Sequence, residues 1–186
     1  MTAVSLAAMC LAGCGVSDLS RLDSSVQASW SVLRGIDRAN VDLAERLIKG
    51  RHAVLRANRN RGRKLRQALD RMSRFDALPR IDLTDPGQLD AYISARTDLV
   101  SKLAQLTKDV GRRSTPARAW RSRDLHRLLR LALLRSREAV RDYNASAAQY
   151  NRSLGQDQGR FSKAVLYPGI REVALLETRT TRAEVK

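Results

Sequence analysis

The sequence predicts an all-α protein, an antiparallel up-and-down bundle of long amphipathic helices. Three observations carry that expectation. Apolar residues recur at steps of three and four through most of the 186 residues, the period of a helix with one buried face. Aromatics make up only 4% of the chain, Leu, Ala and Arg dominate, and alternating β-branched runs are absent, a composition that favours helix. Four prolines fall in the whole chain, and long helices joined by a few loops pack as a bundle. The length suits one domain with a sizeable core.

Residues 3–16 (AVSLAAMCLAGCGV) form an almost wholly apolar run. It falls short of the roughly 20 residues that a spanning helix needs and has the length of the apolar region of a signal peptide. Its end, Leu11-Ala12-Gly13-Cys14, resembles the bacterial lipoprotein box, although no Lys or Arg precedes the run. By that resemblance residues 1–13 are a signal-peptide-like segment, and Cys14 is the site of lipid attachment. Acyl chains on one residue anchor a protein because each buried CH₂ contributes about 0.8 kcal/mol. The other reading of the run is an N-terminal helix belonging to the fold. Both cysteines, Cys10 and Cys14, lie in this segment, so the body is expected to hold neither a disulfide framework nor a cysteine zinc site.

Residues 14–25 are mostly polar and read as a tether. The body, 26–177, opens with Val26, Trp30, Leu33 and Ile36 at helical spacing. The pattern continues through Leu43, Leu47, Ile48, Val54 and Leu55, then Leu65, Leu69 and Met72. This is one long helix or two in line, weakest at 58–62 (NRNRG), where Gly62 costs about 1 kcal/mol relative to Ala. Two prolines make 78–87 a loop. A helix then starts with Asp85 as N-cap, Pro86 in the first position and Gln88 where a capping box wants it. Leu89, Tyr92, Ile93, Leu99, Leu103, Leu106 and Val110 line one side of it as far as Gly111. After a loop over 112–116, the last long helix carries Leu125, Leu129, Ala132, Ser136, Ala139, Val140, Tyr143, Ala147, Tyr150 and Leu154. Gly155 follows where a left-handed cap is expected. Phe161, Val165, Leu166, Ile170, Val173, Leu175 and Leu176 suggest a short returning segment broken at Pro168-Gly169, and 178–186 is a polar tail.

The most distinctive stretch is 141–154, where Tyr143-Asn144 and Tyr150-Asn151 repeat seven residues apart. In a helix the two tyrosines share one face and the two asparagines the strip beside it. The arrangement allows a cleft of two phenols and two amides. The reading it favours is structural: tyrosines fill a helix seam, and asparagines bond a facing backbone or side chain and fix register.

These residues resemble the signature of the bacterial LemA family. Other stretches fit in order: Val26-Gln-Ala-Ser-Trp30, Asp42-Leu43 with Leu47-Ile48-Lys49-Gly50, and Asp85-Pro86-Gly-Gln-Leu89-Asp-Ala-Tyr92 with Ala95 and Leu99. The resemblance covers roughly 26–177 and is that of a divergent member. Ala44-Glu45-Arg46 stands where the family has a Pro-Asn step, and Leu131-Ala-Leu133-Leu134 replaces a glutamate-containing stretch. It implies a membrane-tied antiparallel helical bundle without established enzymatic activity, with a lipid here in place of the family's spanning helix.

Charge is the other strong signal. The chain holds 35 Lys+Arg against 19 Asp+Glu, a net +16. Residues 49–80 carry eleven positive and two negative side chains, and 112–141 ten and two; the rest is close to neutral. Arg123, Arg127, Arg130, Arg137 and Arg141 share one helical face, and Arg56, Arg59, Arg63 and Arg66 share another. An ordinary solvated helix surface accounts for some of this, but a ribbon with so few acids repels itself, and folding does not require it. The expected partners are anionic lipid headgroups or an acidic envelope polymer, each basic residue near such a surface contributing about 1 kcal/mol, together with an unidentified protein. Nucleic acid is the competing ligand. The basic faces lack the interleaved aromatics that stack bases and carry no recognition motif.

Catalysis finds no support. His52 and His126 are isolated, each beside Arg, without a second metal ligand or a nucleophile at useful spacing. No glycine-rich phosphate loop follows a strand, and no cofactor is expected. The sequence thus points to a lipid-anchored scaffold or interaction protein on the exported side of a cell envelope. The alternative is a soluble, basic, nucleic-acid-binding helical protein.

Overall fold

The computed structural model describes the backbone of residues 3–50, 55, 58–76, 83, 85–112, 119–155 and 172–176, with side chains from residue 18 onward except at 86, 111–112 and 119–122. The protein is an all-α helical bundle, and the described residues form four helices: α1 (Ala3–Lys49), α2 (Arg59–Asp76), α3 (Pro86–Arg112) and α4 (Ala119–Gly155). It divides into two compact units, the first built from Met1–Val32 and Val140–Lys186, the second from Leu33–Ala139. The divisions fall inside α1 and α4, each of which contributes to both units. Among the described residues no helix is long and apolar enough to cross a membrane.

Helix α1 corrects one expectation. Residues 16–25 are not an irregular tether; they lie inside α1, and Leu19 and Leu22 are buried. The reason is spacing. Leu22 and Leu19 continue the register of Val26 and Trp30 one and two turns back, while Asp18, Ser20, Arg21, Asp23, Ser24 and Ser25 fill the exposed positions. A mostly polar stretch can be the outer face of a helix when two leucines hold the inner one.

The first long pattern does divide into two helices, but the division lies before the weak point expected at 58–62. Helix α1 ends at Lys49, and the Gly50 N–H reaches the Arg46 carbonyl at 2.8 Å. A Cβ at Gly50 would lie 2.9 Å from that same oxygen, so the closing turn needs glycine. Helix α2 starts at Arg59 because Asn58 caps it: its side-chain oxygen accepts the Arg61 N–H at 3.1 Å and its carbonyl the Gly62 N–H at 3.2 Å. Gly62 therefore sits in the first turn, not at a break.

Helix α3 begins as its sequence predicts. The Asp85 carboxylate accepts the Gly87 and Gln88 N–H groups at 2.9 and 3.3 Å. It runs one residue past Gly111, to Arg112. Helix α4 includes Gly155 as its last residue, with no left-handed backbone there. Of the expected returning segment, 172–176 is described and is not helical.

In the first unit the N-terminal part of α1 pairs with the C-terminal part of α4. Trp30 meets Tyr143 with ring centroids 5.4 Å apart, and Ser25 reaches Ser146. The partner's number rises as the residue's own falls, so the pairing is antiparallel. Val26, Tyr143 and Ala147 are fully buried between them. In the second unit Phe75 packs edge-on against Tyr92, Arg71 pairs with Asp98, and Arg61 pairs with Asp109. These contacts run α2 antiparallel to α3 over a core of Leu65, Met72, Leu89, Leu99 and Leu103. Each fully buried leucine contributes about 1.5–3 kcal/mol, and the rim ion pairs much less.

Candidate functional site

The two asparagines of the Tyr-Asn repeat point at the returning segment. Asn144 Nδ2 donates to the Leu176 carbonyl at 2.7 Å, and its Oδ1 accepts the Leu176 N–H at 2.8 Å. Asn151 does the same to Val173, at 2.7 and 3.0 Å. The Tyr143 hydroxyl donates to the Ala174 carbonyl between them at 3.0 Å. A primary amide has one donor edge and one acceptor edge, so it can mate with both backbone groups of a single extended residue.

The register closes on simple lengths. Seven helical residues rise about 10.5 Å, and three residues of extended chain span about 9–10 Å. Asparagines seven apart therefore meet residues three apart. Val173 and Leu176 face inward and are buried, whereas Glu172, Ala174 and Leu175 are exposed. Tyr143 is fully buried, and burial raises its hydroxyl well above the ordinary tyrosine range. Burial also raises Tyr150, with a smaller push from Asp23. The tyrosines thus fill the α1–α4 seam, and the asparagine strip holds a strap.

A second polar cluster, in the second unit, was not singled out in the sequence. Asp37 on α1 is 3% exposed. It accepts from the Tyr92 hydroxyl and from Arg96 Nε, at 3.1 and 3.0 Å for its two oxygens. Arg96 Nη2 continues to the Ser136 hydroxyl at 2.6 Å and the Ser136 carbonyl at 3.0 Å. Arg34 lies over the Tyr92 ring, 5.6 Å from its centroid, and donates to the Phe75 carbonyl at 2.8 Å. The signal was present. Val26, Trp30, Leu33, Asp37, Asn40, Ala44 and Leu47 form an unbroken four-three repeat in which positions 37 and 40 are polar. A charge on the apolar register implies a buried partner.

Burial raises the Asp37 carboxyl above the usual carboxylate range, against the opposing pull of Arg96, Tyr92 and Arg34. A group whose pKa is higher folded than unfolded supports the fold most in acid, and that support falls as pH rises through the raised value. Asp37→Asn cannot titrate. Urea midpoints from pH 4 to 7 should therefore show the unaltered chain losing stability relative to Asp37→Asn as pH rises. Parallel curves would contradict the assignment.

The arginines divide between the units. Arg123, Arg127, Arg130 and Arg137 are exposed on α4 in the second unit, with Arg59, Arg63 and Arg66 exposed on α2. Arg141 is exposed on α4 in the first unit. Arg56 and His52 lie outside the described residues, as does the side chain of Cys14. Beside the α4 arginines, Leu128, Leu131 and Leu134 are exposed by 56%, 39% and 44%. His126 Nδ1 lies 3.3 Å from the Thr107 carbonyl, a position that occupies it with the neighbouring helix. Among the described residues no three His, Cys, Asp or Glu side chains gather as a metal site. A groove lined by Arg61, Lys64, Leu65, Lys102, Gln105 and Leu106 holds a cavity of about 10 Å³, room for one water.

No protein-family model matches the chain, and no match was found among curated proteins or solved structures.

Proposed function

We propose that the protein is a non-catalytic helical scaffold, a divergent member of the LemA family, held against an anionic surface of the cell envelope. In this reading Cys14 carries the lipid, and the arginine faces, Arg59, Arg63 and Arg66 on α2 with Arg123, Arg127, Arg130 and Arg137 on α4, contact headgroups. The observation that carries it is the surface of α4. Exposed arginines there alternate with Leu128, Leu131 and Leu134, and the exposed acids of that stretch are Asp124 and Glu138. A solvated helix gains nothing from three exposed leucines, whereas a helix lying on a bilayer inserts them and lets its arginines reach the phosphates.

Co-sedimentation with phosphatidylglycerol and phosphatidylcholine vesicles over a salt series tests the surface contact. Binding to the anionic vesicles alone, weakening with salt, is the expected result. Arg127→Glu/Arg130→Glu should reduce it at least several-fold. Equal binding to both vesicle types would overturn the reading. Labelling cells with a palmitate analogue tests the anchor separately, since Cys14→Ser should abolish uptake.

A second reading rests on the unbroken course of α1 from Ala3. There the apolar start is a helix of the fold, and the basic faces serve nucleic acid in a soluble protein. Fractionation separates the two: an envelope protein that requires detergent supports the first, and a protein recovered in the soluble cytoplasm the second.

A further inference from the structure

The bonds between α4 and the strap have an unusual distribution. Among the described residues all five, two from Asn144, two from Asn151 and one from Tyr143, end on backbone N–H or carbonyl groups of residues 173, 174 and 176. Every non-proline residue carries those groups. The side chains that the strap buries are two aliphatic ones, Val173 and Leu176, while those of Ala174 and Leu175 between them are exposed. Over the described residues 172–176 the cradle therefore reads an extended backbone and two apolar side chains three residues apart.

Its own half is preformed. Asn144 and Asn151 stand on a continuous helix whose inner face is packed: Tyr143 is buried against Trp30, and Ala147 and Tyr150 are buried beside it. Their spacing is set by the helix and does not depend on the strap. A rigid row of amides that presents donor and acceptor edges at a fixed interval is how a protein holds an extended peptide through main-chain bonds, with pockets for selected side chains supplying the specificity.

We propose that the Tyr143–Asn144–Asn151 face of α4 is a peptide-binding cradle. Its ligand is an extended segment of a partner protein with two aliphatic side chains three residues apart, and residues 172–176 occupy the cradle in cis as a built-in competitor. The occupant in cis is attached through the sixteen residues 156–171, and a tethered ligand acts at an effective concentration in the millimolar range. A partner gains access by matching that concentration or by holding the strap elsewhere, so the site is self-occupied by default. The cradle lies within the first unit and does not involve the α2 and α4 arginines of the second, so it stands or fails apart from the surface reading.

The test uses the full chain and a fluorescein-labelled pentapeptide with the strap's own sequence, Glu-Val-Ala-Leu-Leu, followed by fluorescence polarisation. Val173→Ser/Leu176→Ser weakens the competitor and leaves the cradle intact; this chain should bind the peptide at least tenfold more tightly than the unaltered one. Adding Asn144→Ala and Asn151→Ala should abolish binding. A peptide N-methylated at its valine and final leucine lacks the two donated N–H groups and should bind at least tenfold more weakly. Equal affinity of the two chains, or undiminished binding of the methylated peptide, overturns the proposal. Should the serine variant not fold, hydrogen exchange on the unaltered chain decides. Millimolar peptide is expected to speed exchange of the protein's own Val173 and Leu176 amides while that of Leu129 is unchanged, and no acceleration overturns the proposal.

Discussion

Replacing Arg96 with methionine is expected to destabilise the protein by about 3–5 kcal/mol, the cost of leaving a buried charge without its partner. Asp37 would keep the Tyr92 hydroxyl but lose the guanidinium that meets both its oxygens, and Ser136 would lose two bonds at once. Chemical unfolding followed by circular dichroism gives the midpoint. Combining Arg96→Met with Asp37→Leu should recover most of the loss, because exchanging both partners for apolar residues of similar volume is often close to neutral. If the single variant unfolds with the unaltered chain, the cluster contributes nothing to the fold. If the double variant is no better than the single, its role is tied to more than charge pairing.

The second large effect is expected at Asn151. Asn151→Leu removes both bonds to Val173, and each polar group left buried and unpaired costs about 1–3 kcal/mol. The strap can avoid that cost by leaving. The loss is then limited to what its docking contributes, including about 1.5–3 kcal/mol for each buried aliphatic side chain. A destabilisation of about 2–4 kcal/mol follows, with exchange protection lost first at the Val173 and Leu176 amides. Asn151→Asp is the sharper variant. Its carboxylate still accepts the Val173 N–H but sets a negative oxygen against the Val173 carbonyl, so the strap should detach although the side chain keeps its size. A strap that stays protected in both variants would show that the amide bonds do not hold it.

What the sequence made legible follows from what periodicity can carry. The helical class, the Asp85 cap and the buried faces of α3 and α4 were readable because a helix repeats its environment every three to four residues. The bias of the arginines toward the outside followed from the same geometry. The extension of α1 back through Leu19 and Leu22 was missed because composition outweighed spacing: six polar residues out of eight look like a tether until the two leucines are placed on the wheel. The strap was legible as a returning segment that includes Val173 and Leu176, but not as what the asparagines hold. It bonds through its own backbone atoms, which leave no residue-type signature, and Val173 and Leu176 resemble any apolar pair. Asn144 and Asn151 showed that something was being held without showing what. The Asp37–Arg96 pair lay between these cases, visible as charges on two apolar registers but identified only once the helices were side by side.

The match between seven helical residues and three extended ones constrains insertion and deletion more than substitution. Adding or removing one residue between Val173 and Leu176 moves one anchor out of reach of its asparagine, whatever residue is used, whereas exchanging Ala174 or Leu175 leaves both amide pairs intact. Because the asparagines meet backbone groups, a shift of the whole strap is limited by which residues three apart are both large aliphatics, and the sequence provides one such alternative, with Ile170 and Val173 taking the places of Val173 and Leu176. This part of the protein should therefore tolerate changes of spelling and resist changes of length, with positions available to the strap that are discrete.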